Sequence, residues 1–135
     1  MQNIRFRLYF DLYLLAKNIQ AHVKQHNADT LAKVVILQLI TDGKSSASVM
    51  AKETSIKLSA MMTRLQGLEK DGFIKRIQGK DHREYRSEIT PKGKKLLILV
   101  KQTILDRCTK EHTQIPDEDI VITKRVIDAL RKGLI

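Results

Sequence analysis

Between Lys80 and Gly93 the chain reads KDHREYRSEITPKG, a run that sets basic and acidic side chains next to one another. It lies between the apolar step Gly72-Phe73-Ile74 and the apolar run Leu96 to Val100, yet charges this dense cannot be core. Lysine and arginine at such a place suit one kind of chemistry above others: they displace counterions from phosphates, so a polyanion gains affinity by docking there. Arg76, Lys80 and Arg86 are candidates for that contact. Upstream, Ser59, Ala60, Thr63 and Arg64 form a short outward set in which Arg64 could pair bidentately with a guanine edge or bind phosphate instead. A solvated charged face is the plainer alternative for both stretches.

Other reactive residues lead less far. His22 and His26 stand four apart, a zinc-compatible spacing, but nothing nearby in sequence completes a site, and solvated histidines are the simpler reading. Cys108, on the apolar stripe of a helix, reads as a buried, inert thiol rather than a redox sensor, and Glu111-His112 close to it could join a metal site only if the fold brought further ligands to it. There is no phosphate-binding glycine loop and no Ser/His/Asp or Cys/His arrangement in recognisable context. The sequence therefore argues against an enzyme and calls for no cofactor.

Charge distribution supports the polyanion. The formal net charge is +10. Residues 1–43 hold five Lys/Arg against three Asp/Glu, residues 44–95 thirteen against six, and residues 96–135 seven against six. The middle third thus carries most of the excess. A length of 135 residues fits one domain. No stretch approaches the roughly 20 apolar residues of a membrane span, and the start of the chain lacks a signal peptide's apolar region. The expectation is a soluble, cytoplasmic protein without membrane association. One cysteine excludes an internal disulfide framework.

The elements that must position these residues follow from periodicity. Ile4, Leu8, Leu12, Leu15, Ile19 and Val23 recur at steps of four and three, with Phe6, Tyr9, Phe10, Tyr13 and Leu14 widening the stripe. This predicts a long helix with more apolar cover than one small neighbour needs, and a partner chain is the natural way to bury it. After a break at Asn27-Ala28-Asp29-Thr30, a nearly all-round apolar helix runs to Thr41-Asp42-Gly43 and belongs in the core. Ser45-Ser46 opens the short helix ASVMAKE, and LSAMMTRLQGLEKDG supplies another, with Leu58, Met62, Leu65 and Leu68 on the inward face and Gly72 at its end. Met50, Met61 and Met62 read as core rather than as a ligand box.

Two short helices joined by a tight turn give a helix-turn-helix outline. Residues 73–77 and 84–89 read as strands of a hairpin turning at 78–81. Thr90-Pro91 starts a helix that reaches about His112, with Leu97, Val100, Ile104 and Cys108 on one face. Ile115-Pro116-Asp117-Glu118-Asp119 starts the last, which finishes at Arg131-Lys132-Gly133. The predicted order is four helices, a hairpin and two helices. The fold class is mainly α (α+β).

At this point the residues resemble a family. MTRLQGLEKDGFIKR is similar to the recognition-helix signature of the MarR (multiple antibiotic resistance regulator) family, and DHREYRSEITPKG resembles its wing signature, D-x-R followed by LT-x-x-G, with Ile89 in place of leucine. The match covers about residues 45–95. It departs from the family at SIKLS, where the turn has no glycine and is one residue longer, and at Gly67, where a long basic or polar side chain is usual.

The resemblance implies a winged helix-turn-helix over residues 29–93, with a two-stranded wing, flanked by N- and C-terminal dimerisation helices at 1–28 and 94–135 in a single domain. It implies a homodimer on double-stranded DNA, a transcriptional regulator, usually a repressor, reading a pseudo-palindrome and answering to a small-molecule effector. Arg83 would reach the minor groove or its backbone, with Asp81 holding it. The alternatives are a nonspecific DNA-organising protein and a winged-helix module that binds another protein.

Overall fold

The computed structural model describes residues 2–26, 30–79 and 85–135. Along the chain run α1 (Gln2–His26), α2 (Thr30–Thr41), α3 (Ala47–Thr54), α4 (Leu58–Lys70), β1 (Ile74–Gln78), β2 (Tyr85–Ile89), α5 (Pro91–His112) and α6 (Asp117–Lys132). This is the predicted order, with most ends within a residue or two of the expected ones. The backbone divides into two compact units, Met1–Val35 and Ile36–Ile135.

The first unit is chiefly α1. Its stripe leaves Ile4, Phe6, Tyr13 and Leu15 exposed, Phe6 to 72%. Two aromatic rings on it carry cations from one turn away, Arg7 over Phe10 at 5.2 Å and Lys17 over Tyr13 at 5.4 Å.

The second unit holds the helix-turn-helix, the hairpin and the last two helices. Its core gathers Ile36, Leu37 and Ile40 from α2, Met50 and Ala51 from α3, Met61, Leu65 and Leu68 from α4, Ile74 from β1, and Leu97 and Val100 from α5. One expectation is corrected here. Met61 rather than Met62 is the inward methionine of α4; Met62 is half-buried and Leu58 is 51% exposed. Residues 61, 65 and 68 follow the same helical period as the expected stripe, and packing against the hairpin and α3 selects that face. Cys108, expected to be buried, is half-buried.

Local chemistry sets the element ends. Ser46 caps α3 by accepting the Val49 amide at 3.3 Å. Where α3 stops, Ser55 takes a left-handed conformation, φ 55°, so that its amide and that of Ile56 bond back to Lys52 and Ala51. α4 ends in the same arrangement around Gly72, φ 80°, with Phe73 N–H on the Leu68 carbonyl at 2.9 Å and Gly72 N–H on Glu69 at 3.0 Å. β1 and β2 pair antiparallel from Ile74↔Ile89 to Gln78↔Tyr85. Beyond the predicted hairpin, Ser46 bridges Arg86 on the free edge of β2, and Ser87 N–H donates to the Ser45 carbonyl at 3.0 Å. The segment before α3 is thereby sewn to the wing.

Candidate nucleic-acid interface

The side chains expected to read DNA sit together on the first three turns of α4. Ser59, Ala60, Thr63 and Arg64 are all exposed, and the Thr63 hydroxyl donates to the Ser59 carbonyl at 3.1 Å. A helix presenting such a face fits the width of a major groove, with residues near its N-terminus closest to base edges.

Behind α4 the hairpin is fastened at its base. Thr90 caps α5 by accepting the Gly93 amide at 3.2 Å, and its hydroxyl donates to the Gly72 carbonyl at 2.6 Å. Thr90 N–H donates to the Phe73 carbonyl at 3.0 Å. Lys92 adds a bond from its ammonium to the Asp71 carbonyl at 2.7 Å while lying 4.7 Å from the Phe73 ring centroid. A cation on the carbonyl end of a helix also opposes the helix dipole. The end of α4 and the start of α5 are therefore one clasped unit. Gly93 is needed there because a Cβ would strike the Phe73 carbonyl and come within 2.8 Å of Ile89.

Strand register separates the two described arginines of the hairpin. Arg76 lies on the face of Ile74, Ser87 and Tyr85, and its side chain is only 16% exposed, 3.9 Å from the Glu69 carboxylate and 4.8 Å from the Tyr85 ring. Arg86 falls on the opposite face and is exposed. Lys80, Asp81 and Arg83, the expected tip of the wing, lie outside the described residues. Lys92, Tyr85 and Glu69 were not singled out by sequence reasoning; Lys92 in T-P-K-G, one turn into a capped helix, was the one with a visible cue.

Between α3, α4 and the wing lies a cleft of about 520 Å³ lined by Ser46, Val49, Leu58, Met62, Arg76 and Tyr85 among others. This is what half-buries Met62. Elsewhere in the second unit, Glu53 at the end of α3 gathers two cations, Lys44 at 2.9 Å and Arg131 of α6 at 2.7 Å. The Lys44 hydrogen bond is the largest influence on the Glu53 carboxyl; burial opposes it, and the Arg131 hydrogen bond, a smaller effect than burial, helps Lys44 hold the carboxyl below its ordinary value. Among the described residues no three His, Cys, Asp or Glu side chains converge on a metal position. No described helix is long and apolar enough to cross a membrane.

The two short helices, the clasped hairpin and the flanking helices are a winged helix-turn-helix of the MarR type. Many solved structures share this fold. FabT of Streptococcus pneumoniae, solved in complex with DNA, is 20% identical, with 95% of each chain covered and a TM-score of 0.69. A MarR family protein from Bacillus stearothermophilus is 19% identical over 95% of this chain and 96% of its own, at a TM-score of 0.62. The heme sensor PefR from Streptococcus agalactiae, solved in complex with heme, is 22% identical over 98% and 95%, at 0.54. No family model and no curated protein matches the sequence. At these identities the likeness is one of fold.

Proposed function

We propose that the protein is a sequence-specific transcriptional regulator, a repressor, that binds double-stranded DNA as a homodimer. The observation that carries this reading is α4: an exposed face of Ser59, Ala60, Thr63 and Arg64 on a helix whose far end is clasped to the base of a basic hairpin. In this reading α4 enters the major groove, with Arg64 on a guanine or a phosphate. The wing, through Arg76, Lys80 and Arg86, lies on phosphates, and Arg83, positioned by Asp81, reaches the minor groove or its backbone. The likeness to FabT, a protein solved with DNA, supports the same assignment.

Residues 1–28 and 94–135 would form the dimerisation region. Support comes from apolar surface: α1 exposes Ile4, Phe6 and Tyr13, and α6 has no buried residue while exposing Ile120, Val121, Ile122 and Val126. A two-fold dimer sets two recognition helices about one DNA turn apart and reads a pseudo-palindrome. A small-molecule effector would act by changing that spacing, as ligand binding by a MarR-type neighbour such as PefR suggests. Such a protein works in the cytoplasm, on DNA.

The test is selection from a pool of randomised duplexes, followed by affinity against salt. Enrichment of a pseudo-palindrome is the expected result. Tight, salt-sensitive binding without enrichment would point to a nonspecific DNA-organising protein instead, and absence of binding to a protein partner for the wing.

A further inference from the structure

Gly67 occupies the middle of α4, and among the described residues nothing packs where its side chain would be. Glycine weakens a helix interior relative to alanine, because its backbone is freer in the unfolded chain. It is kept where φ must be positive or where something packs against the backbone. At Gly72 the first condition holds, and at Gly93 the second, through the Phe73 carbonyl. At Gly67 neither does: its φ is that of the surrounding helix, it is exposed, and a Cβ built on it meets no described atom within 4 Å.

Its surroundings indicate what would pack there. Ala60, Thr63, Arg64 and Gly67 share one face of α4, the face expected to read bases. Arg64 precedes Gly67 by three residues and Lys70 follows it by three, so two exposed cations bracket a strip of bare helix backbone. The one acid on this part of α4, Glu69, is turned to Arg76. Bare backbone between two cations suits a polyanion that approaches closely.

We propose that Gly67 is a positioning residue of the DNA interface: its missing side chain lets α4 lie against the sugar–phosphate wall of the major groove, close enough for Thr63 and Arg64 to reach base edges. The inference rests on the operator-reading function proposed above and adds to it the depth at which the helix is seated. Close seating matters only in the specific complex. Nonspecific binding is carried by long, flexible Lys and Arg side chains and tolerates a gap of a methyl group or more.

The experiment uses the full chain as wild type, Gly67→Ala, Gly67→Lys and Arg64→Ala, each measured for thermal stability and for binding to the duplex enriched by wild type and to a scrambled duplex across salt. Gly67→Ala should melt higher than wild type, yet bind the enriched duplex about tenfold or more weakly, the size of one lost base contact. Its affinity for the scrambled duplex should not change. Gly67→Lys should bind both duplexes through its added charge while discriminating less between them. A Gly67→Ala protein that discriminates as well as wild type, or a Gly67→Lys protein that discriminates better, would overturn the inference while Arg64→Ala still showed a loss. A wild type that prefers no sequence, with Arg64→Ala indistinguishable from it, would overturn the operator reading and the seating of α4 together.

Discussion

The hydroxyl of Thr90 donates to the carbonyl oxygen of Gly72 at 2.6 Å, across 18 residues of chain. The Thr90 hydroxyl oxygen also accepts the Gly93 amide, so one side chain closes the last turn of α4 and opens the first turn of α5. α4 and the long helix behind the wing are held as a single lever. Replacing Thr90 with Ala removes both bonds and should destabilise the fold by about 1–2 kcal/mol, the upper range for an N-cap. Thr90→Ser keeps the oxygen and should lose much less. Denaturant titration, with unchanged dependence on denaturant concentration, gives the comparison.

Gly93 makes the opposite prediction from Gly67. Any side chain at 93 meets the Phe73 carbonyl, which is backbone and cannot swing aside. Gly93→Ala should therefore cost about 1–3 kcal/mol in stability, in the range for overpacking. Since the strain falls on the clasp, DNA affinity measured well below the melting temperature should fall as well. Intact stability in Gly93→Ala would mean that the α4–α5 junction has room to part.

What could be read from the sequence was local. The starts of α3 and α5 follow from Ser46 and Thr90-Pro91, because a cap is built within four residues, and the end of α4 follows from Gly72 for the same reason. The inward face of α4 did not follow. Met61 and Met62 both fit a helical period with Leu65 and Leu68, and only the hairpin and α3 decide between them. The bridge from Ser46 to Arg86 is one residue wide and leaves no pattern, and Arg131 meets Glu53 across 78 residues. At the interface, the exposure of Ser59, Ala60, Thr63 and Arg64 agreed with the reading of α4, although the stripe behind them was displaced. The seclusion of Arg76 depended on Glu69 and Tyr85, which no spacing rule connects.

Ser55 is a serine doing a glycine's task. With φ at 55° it sits where a Cβ crowds the following carbonyl, yet the turn from α3 to α4 needs that conformation for the amides of Ser55 and Ile56 to reach back. Ser55→Gly should relieve the crowding and stabilise the fold by about 0.5–1 kcal/mol, less whatever glycine's extra freedom in the unfolded chain subtracts. A β-branched residue such as valine at 55 should destabilise. Melting temperatures of the three proteins would check the order.

Glu53 gives a pH dependence with a definite sign. Its carboxyl is held below the ordinary 4.5, first by the Lys44 hydrogen bond and then by Arg131. A depressed folded value means that the ion cluster contributes fully above 4.5 and is lost as pH falls from there through the lower folded value. Wild type should therefore exceed Glu53→Gln in stability at neutral pH, and the gap should close on acidification below that point. The gap should also shrink in high salt, because the cluster is partly open to solvent. A gap that persisted unchanged in acid would show that Glu53 acts through packing.

Arg76 and Arg86 should separate in a salt titration. Arg86 is exposed on the outer face of the hairpin, so Arg86→Ala should lower the slope of log affinity against log salt by about one for each subunit that loses a phosphate contact. Arg76 is enclosed by Glu69 and Tyr85, and a side chain so held can reach phosphate only by leaving them. Glu69→Gln decides how Arg76 acts, because the two roles give opposite signs. If Arg76 serves as a phosphate ligand, removing the neighbouring acid frees it and reduces repulsion of DNA, and affinity should rise. If Arg76 instead braces the wing against α4, Glu69→Gln loosens the brace and affinity should fall despite the gain in positive charge. In the second case Glu69→Gln combined with Arg76→Ala should be no weaker than Arg76→Ala alone.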